Sequence, residues 1–248
     1  MDSRKFGSVV LASVSIADGH LDVFTRVANA LNKQNPDRAT AMATLLEQAL
    51  VNFEVAVESP RPQTLAERYE AFSPELKAKL MLENGHLHFT VQGTALNSKD
   101  WEARLKTGGH KLSKYSADVL SKPDYNKNHR LEAGKIYKLG LVFGTEIAKD
   151  SERTTSNLKA HALREFGPEA NEDLKGEVEL LIREKFTNAE LQAMGLWYIA
   201  VLHNPITDSG GHPRVLYSDR FVGSYVRAYY DGPGGQWRAR GAFASLAS

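Results

Sequence analysis

The last fifty residues constrain the chain most. Residues 197–203 (WYIAVLH) form a continuous apolar and aromatic run of strand length. Three more strand-like runs follow, at 215–221 (VLYSDRF), 224–230 (SYVRAYY) and 236–246 (QWRARGAFASL). Asp208-Ser209-Gly210-Gly211, Val222-Gly223 and Asp231-Gly232-Pro233-Gly234-Gly235 separate them with residues that accept turn geometry. Strand runs joined by short turns read as an antiparallel β-meander.

Upstream the period changes from two to 3.6. After a strand at 8–16, Leu21, Phe24, Val27, Ala28 and Leu31 recur at helical spacing behind Asp18. Asn35-Pro36-Asp37 makes a turn, and residues 39–57 carry one apolar stripe from Met42 through Leu46, Leu50 and Phe53 to Val57. Ser59-Pro60-Arg61-Pro62 is stiff, Thr64 with Glu67 is a capping-box pair, Ser73-Pro74 opens another helix, and Asn84-Gly85 reads as its C-cap. Beyond lie a strand at 86–92, helices opened by Ser98 and Ser113, a strand at 135–143, a helix at 154–166, a strand at 177–186 and a short helix opened by Thr187. The fold class is therefore α+β. A strand-helix-helix part (1–58) and a helical connector (59–85) precede a mixed part (86–248) that ends in the meander.

Composition removes whole classes of function. The chain has no cysteine, which excludes disulfides, thiolate metal sites and thiol nucleophiles and fits a reducing, cytoplasmic setting. The N-terminal apolar run is broken by Ser13 and Ser15 and reads as a strand, not a signal peptide; no stretch approaches a membrane span. The net charge of +1 gives no whole-molecule attraction to polyanions, so any such binding must be local.

The runs VVLASVSI, LDVFTRVANALNK and NPDRATAMATLLEQAL together resemble the ribbon-helix-helix family of DNA-binding proteins. The resemblance implies a homodimer whose paired strands enter the major groove. It also implies a phosphate held at the start of the second helix, where Arg38 and Thr40 stand. Ser13 and Ser15 reach poorly toward bases, and residues 1–85 hold nine basic against eleven acidic residues, both departures from that pattern. The run GLWYIAVLHNPITDSGGHPRVLYSDRF resembles end modules of uncharacterised bacterial proteins, which implies no activity.

Two more stretches suit nucleic acid. Residues 99–138 hold ten Lys/Arg against five acids, with His110, Tyr115, Tyr125 and His129 among them. Residues 214–240 hold five arginines against Asp219 and Asp231, amid seven aromatic residues between Tyr217 and Phe243. Strand alternation puts Tyr225, Arg227 and Tyr229 on one face and Arg238 with Arg240 on one face. Arg227, Tyr229, Trp237, Arg238 and Arg240 are thus the expected stacking and clamping set for DNA or RNA, and a protein surface is the alternative partner.

Catalysis has no comparable signature. His86 and His88 share a strand face, a metal pair with only Glu83 or His110 to suggest as a third ligand. His203, Asp208, Ser209 and His212 supply triad residue types without a nucleophile elbow and read as a turn. No phosphate-loop motif occurs. No catalytic, metal or cofactor assignment follows. The expectation is a nucleic-acid-associated binding protein, such as a regulator or a component of a mobile-element or defence system. The alternatives are a protein-interaction or inhibitor protein and a His/Arg-dependent nuclease.

Overall fold

The computed structural model describes residues 63–220, 223–232 and 235–248. The strand-helix-helix expected over 1–58, with Arg38 and Thr40, lies outside the described residues.

Side-chain caps start most of the helices. Thr64 opens α1 (Leu65–Glu70) with a full capping box, and Ser73 opens α2 (Pro74–Lys77) with Pro74 at its first position. Ser113 caps α4 (Lys114–Ser121), Thr154 caps α6 (Thr155–Phe166) and Thr187 caps α8 (Asn188–Ala193). α3 (Ser98–Thr107) is capped by Asn97, one residue before the serine expected to do so. Asn97 Oδ1 accepts from the amides of Lys99 and Asp100 at 3.0 and 3.1 Å. α5 (Pro123–Asn128) follows α4 directly.

Among the described residues nine strands form one mixed sheet: β1 (Met81–Glu83), β2 (His86–Gln92), β3 (Lys111–Leu112), β4 (Ile136–Phe143), β5 (Tyr198–Val201), β6 (Ile206–Thr207), β7 (Pro213–Asp219), β8 (Tyr225–Tyr230) and β9 (Gly241–Leu246). The order is β1-β2-β4-β9-β5-β7-β8-β3, with β6 also paired to β7. The molecule is α+β. β5, β7 and β8 are antiparallel neighbours, as a meander requires. β9 departs from it, crossing back to lie parallel to β5 and antiparallel to β4. β5 is buried at all four positions, so it needs a neighbour on each side, and the outer side of β8 is taken by β3.

Two sequence expectations are corrected. Asn84-Gly85 does not cap a helix. Both residues have positive φ, 50° and 83°, and they turn the β1–β2 hairpin. Residues 177–186, read as a strand, form helix α7 (Glu177–Lys185). Every residue from Glu177 to Arg183 is buried, so this helix has no solvated face to give its sequence the amphipathic period.

Strand alternation sorts the side chains into two cores. Leu87, Phe89, Leu139, Leu141, Ile199, Val201, Leu216 and Val226 face one side, where they pack with Trp101, Leu120, Tyr125, Val178 and Ile182 from the helices. Phe72, Leu76 and Leu80 join this core from the α1–α2 region. The other face packs on α6 through Val142, Leu158, Ala162, Phe166 and Phe243. Phe166 comes so close to β4 that its ring fills the space a Cβ on Gly140 would need. α6 lies over β4 and β9; across β5, β7 and β8 the same face carries aromatic side chains instead. Among the described residues no helix is long and apolar enough to cross a membrane.

Candidate binding cleft

Register fixes which side chains meet on that face. Tyr198 pairs with Asp219 and Ala200 with Tyr217 across β5 and β7. Tyr217 pairs with Arg227, Val215 with Tyr229 and Asp219 with Tyr225 across β7 and β8. Directly opposed residues point the same way, so Tyr198, Tyr217, Asp219, Tyr225, Arg227 and Tyr229 share one face. Trp237, from the segment between β8 and β9, closes one end. A cleft of about 350 Å³ results, lined by Trp197, Tyr198, Tyr217, Asp219, Tyr229, Gln236, Trp237 and Arg238.

Trp237 is the most firmly held of these rings. It is 4% exposed. Its indole Nε1–H donates to Thr155 Oγ1 at 3.1 Å, and its backbone N–H donates to the Arg153 carbonyl at 2.8 Å. The buried Arg153 guanidinium returns a bond from Nε to the Trp237 carbonyl at 3.1 Å. Tyr229 stacks on the indole at a centroid distance of 4.4 Å and an angle of 35°. Tyr198 and Phe243 surround it at 5.9 and 5.3 Å.

Tyr198 anchors the loop. Its hydroxyl donates to the Arg238 carbonyl at 2.8 Å and accepts from the Arg238 amide at 3.1 Å. Burial raises the pKa of this phenol, and burial followed by the Asp219 charge pushes Tyr217 up to about 12. Both therefore stay neutral donors at physiological pH. At the rim, the guanidiniums of Arg220 and Arg240 lie over Trp197 at 5.2 and 5.4 Å.

The structure brings Tyr229, Trp237 and Arg238 into one cleft. Arg240 is exposed beside it, over Trp197. Arg227 shares the face but forms an ion pair with Asp219 and lies over Tyr225 at 4.7 Å. Residues 236–240 are not a strand, so the expected shared face of Arg238 and Arg240 does not form. Trp197, Tyr198 and Asp219 were not singled out by sequence reasoning. The signal for Tyr198 and Asp219 is parity with Tyr217 once the β5–β7 register is known; Trp197, one residue before β5, does not share it.

The basic stretch at 99–138 is dispersed. Arg104 pairs with Glu184, Lys122 with Asp118, Lys135 with Glu132 and Lys138 with Glu83. Lys138 on β4 and Lys111 on β3 stand toward opposite ends of the sheet. Lys111 does reach Tyr225, at 5.8 Å from its ring.

The remaining candidates are structural. Asp208 accepts from the amides of Gly210 and His212 and from Arg214 Nε, which holds its carboxyl well below the usual range and builds a turn. His203 is fully buried; its Nε2 accepts from the Leu216 amide at 2.9 Å and its Nδ1 lies 2.6 Å from the Asn204 carbonyl. Burial, then the neighbouring His129, pulls its pKa down to about 3, so it stays neutral. Neither suggested third ligand joins His86, because Glu83 binds Lys138 Nζ at 2.7 Å and His110 binds Ser224 Oγ at 2.6 Å. Among the described residues no group of three or more His, Asp or Glu side chains could hold a metal ion.

Comparison with protein-family models, curated proteins and solved structures gives no match to this chain.

Proposed function

We propose that the β5–β7–β8 face is a binding surface for single-stranded nucleic acid, with one base entering the aromatic cleft. The observation that carries this reading is the convergence of Tyr217, Tyr229, Trp237 and Arg238 in one cleft of about 350 Å³, with Arg220 and Arg240 at its edge. The volume lies toward the small end of pockets that hold organic ligands, roughly 300–1,000 Å³. Rings offer a face to any base, and arginines pair with the flanking phosphates. A base must leave the helix to enter a recessed cleft, which favours a single strand over a duplex. The dispersal of the 99–138 charges argues for a short footprint.

The test is a titration of the full chain with labelled single-stranded DNA, single-stranded RNA and duplex DNA at two salt concentrations. Single strands should bind with salt-dependent affinity. Tyr229→Ala should weaken binding by about 1–3 kcal/mol, and Arg238→Ala should flatten the salt slope by about one. No single-strand binding at low salt would sink the reading.

A protein partner is the second reading, and one observation favours it. Arg214 lies over the ring of Tyr115 at 4.4 Å and 5.9 Å from that of Tyr230. Those two tyrosines are 51% and 44% exposed. Tyr and Arg are among the residue types that dominate protein interfaces, and here the two tyrosines are exposed around a half-buried arginine.

A further inference from the structure

The aromatic cleft has polar groups as well as rings, and several are already spent. The Tyr198 hydroxyl holds both backbone groups of Arg238, and the Trp237 indole N–H donates to Thr155 Oγ1. The Tyr229 hydroxyl donates to the Gln236 carbonyl at 3.0 Å. Asp219, Tyr217 and Gln236 supply the other polar groups of the wall, beside Arg238. We infer that the base this cleft takes is guanine, read by the Asp219 carboxylate through the N1–H and N2–H donors of its Watson–Crick edge. This rests on the single-strand reading above and adds a sequence preference to it.

Asp219 is built for that role. Among the described residues that line the cleft it is the one carboxylate, and it is buried. Its pairing with Tyr198 on β5 and with Tyr225 on β8 turns the side chain onto the aromatic face. After burial, the Asp219 charge is the largest influence raising the Tyr217 phenol, so hydroxyl and carboxylate share one end of the cleft. A buried carboxylate has to be paired, and Arg227 on β8 forms the ion pair at Asp219 Oδ2. A carboxylate has about four lone-pair sites on its two oxygens, so this ion pair does not exhaust it. The Asp219–Arg227 pair as a whole carries no net charge, which suits an uncharged base better than a cation. Arg220 and Arg240 at the mouth disfavour a cation further.

The edges of the bases then decide between them. Guanine sets two donors, N1–H and N2–H, side by side, which matches an acceptor-only carboxylate. Adenine and cytosine each place a ring-nitrogen acceptor beside their amino donor, and thymine and uracil flank N3–H with two carbonyls. Each of these turns a lone pair toward Asp219, and such a repulsive contact discriminates as strongly as an attractive one. Guanine O6, next to N1, needs a donor. The Tyr217 hydroxyl and the Gln236 side-chain amide are the uncharged donors in the wall, and Tyr217 stands at the Asp219 end. Arg238 keeps the phosphate role given to it above.

The test uses the full chain and labelled single strands of abasic sugar-phosphate that carry one base each: guanine, hypoxanthine, adenine, cytosine or thymine. A wholly abasic strand gives the baseline. The guanine strand should bind about 5–150-fold more tightly than the adenine, cytosine and thymine strands, the discrimination of one good bidentate contact. Hypoxanthine keeps N1–H and O6 but lacks the N2 amino group, and should bind at least about 5-fold more weakly than guanine. Asp219→Asn replaces one acceptor oxygen by a donor and should bring the guanine strand to the level of the others. Circular dichroism confirms folding, and the hypoxanthine comparison needs no variant should Asp219→Asn fail to fold. Equal binding of all the base-bearing strands, a preference for another base, hypoxanthine equal to guanine, or a guanine preference untouched by Asp219→Asn overturns the assignment and leaves the single-strand reading standing. Binding of no base-bearing strand above the abasic baseline overturns both.

Discussion

Gly241 gives the cleft its sharpest test. It opposes Tyr198 across the parallel β5–β9 pair, on the face that carries the aromatic residues. Its φ is not positive, so alanine can adopt the backbone without strain. The obstacle is space: a Cβ there would overlap the Tyr198 ring and lie 2.5 Å from its hydroxyl oxygen. The ring has little room to retreat. It sits among Tyr217, Trp237 and Phe243 at centroid distances of 5.8, 5.9 and 6.0 Å, and its hydroxyl holds both backbone groups of Arg238. Overpacking costs about 1–3 kcal/mol, and displacing the hydroxyl forfeits two hydrogen bonds worth about 1 kcal/mol each. Gly241→Ala should therefore destabilise the protein by roughly 3–5 kcal/mol and loosen the loop that carries Trp237 and Arg238. In a Tyr198→Ala background the clash has no partner, and the same substitution should cost almost nothing. Urea unfolding of the four proteins that make up this cycle measures the coupling, provided the m-values agree. A coupling of about 3–5 kcal/mol, nearly the whole cost of the substitution, is expected, at or above the upper end for residues in direct contact. Additivity within about 0.5 kcal/mol would show that Tyr198 does not occupy that space.

Three further predictions concern buried ionisable groups. Glu177 accepts from the amides of Thr94, Ala95 and Leu131 at 2.8, 3.1 and 2.7 Å and from Thr94 Oγ1 at 2.5 Å. Glu177→Ala orphans these donors and should cost about 3–5 kcal/mol, with faster hydrogen exchange at the three amides; a loss below 1 kcal/mol would refute the clip. His203 falls from its ordinary 6.5 to about 3 on folding, so the unfolded chain binds the extra proton between those values. Stability from this group is complete above pH 6.5 and is lost toward pH 3, by up to about 1.4 kcal/mol per unit. His203→Gln should lose less than the wild type over that range, and parallel pH profiles would contradict the reading. Glu179 is the opposite case, because burial raises its pKa well above 4.5. The folded state then keeps a proton that the unfolded chain releases, and stability falls as pH rises from about 4.5 toward the folded value. Glu179→Gln should gain on the wild type across that window, and a gain that does not grow with pH would exclude the mechanism.

What the sequence made legible, and what it did not, follows from the range of the interactions. Caps and turns are local, so Thr64, Ser73, Ser113, Thr154 and Thr187 are readable as helix starts from a few residues each. Asn84-Gly85 is equally local yet ambiguous, since positive φ serves a C-cap and a hairpin alike; only the pairing of Met81–Glu83 with β2 decides it. α7 defeats periodicity because burial on all sides removes the polar face that periodicity detects. Along β8, alternation alone puts Tyr225, Arg227 and Tyr229 together. Adding Tyr198 and Tyr217 requires the register of β5, β7 and β8, which non-local packing sets. The contacts of His86 are equally non-local: it starts β2, and it meets Glu146, three residues past β4, only because β2 and β4 are neighbours. The aromatic cleft lies on the sheet face that packs on α6, beyond the cover that helix gives β4 and β9. The placement of α6 over β4 and β9 therefore does more than fill a core, because where it stops sets where the aromatic cleft begins.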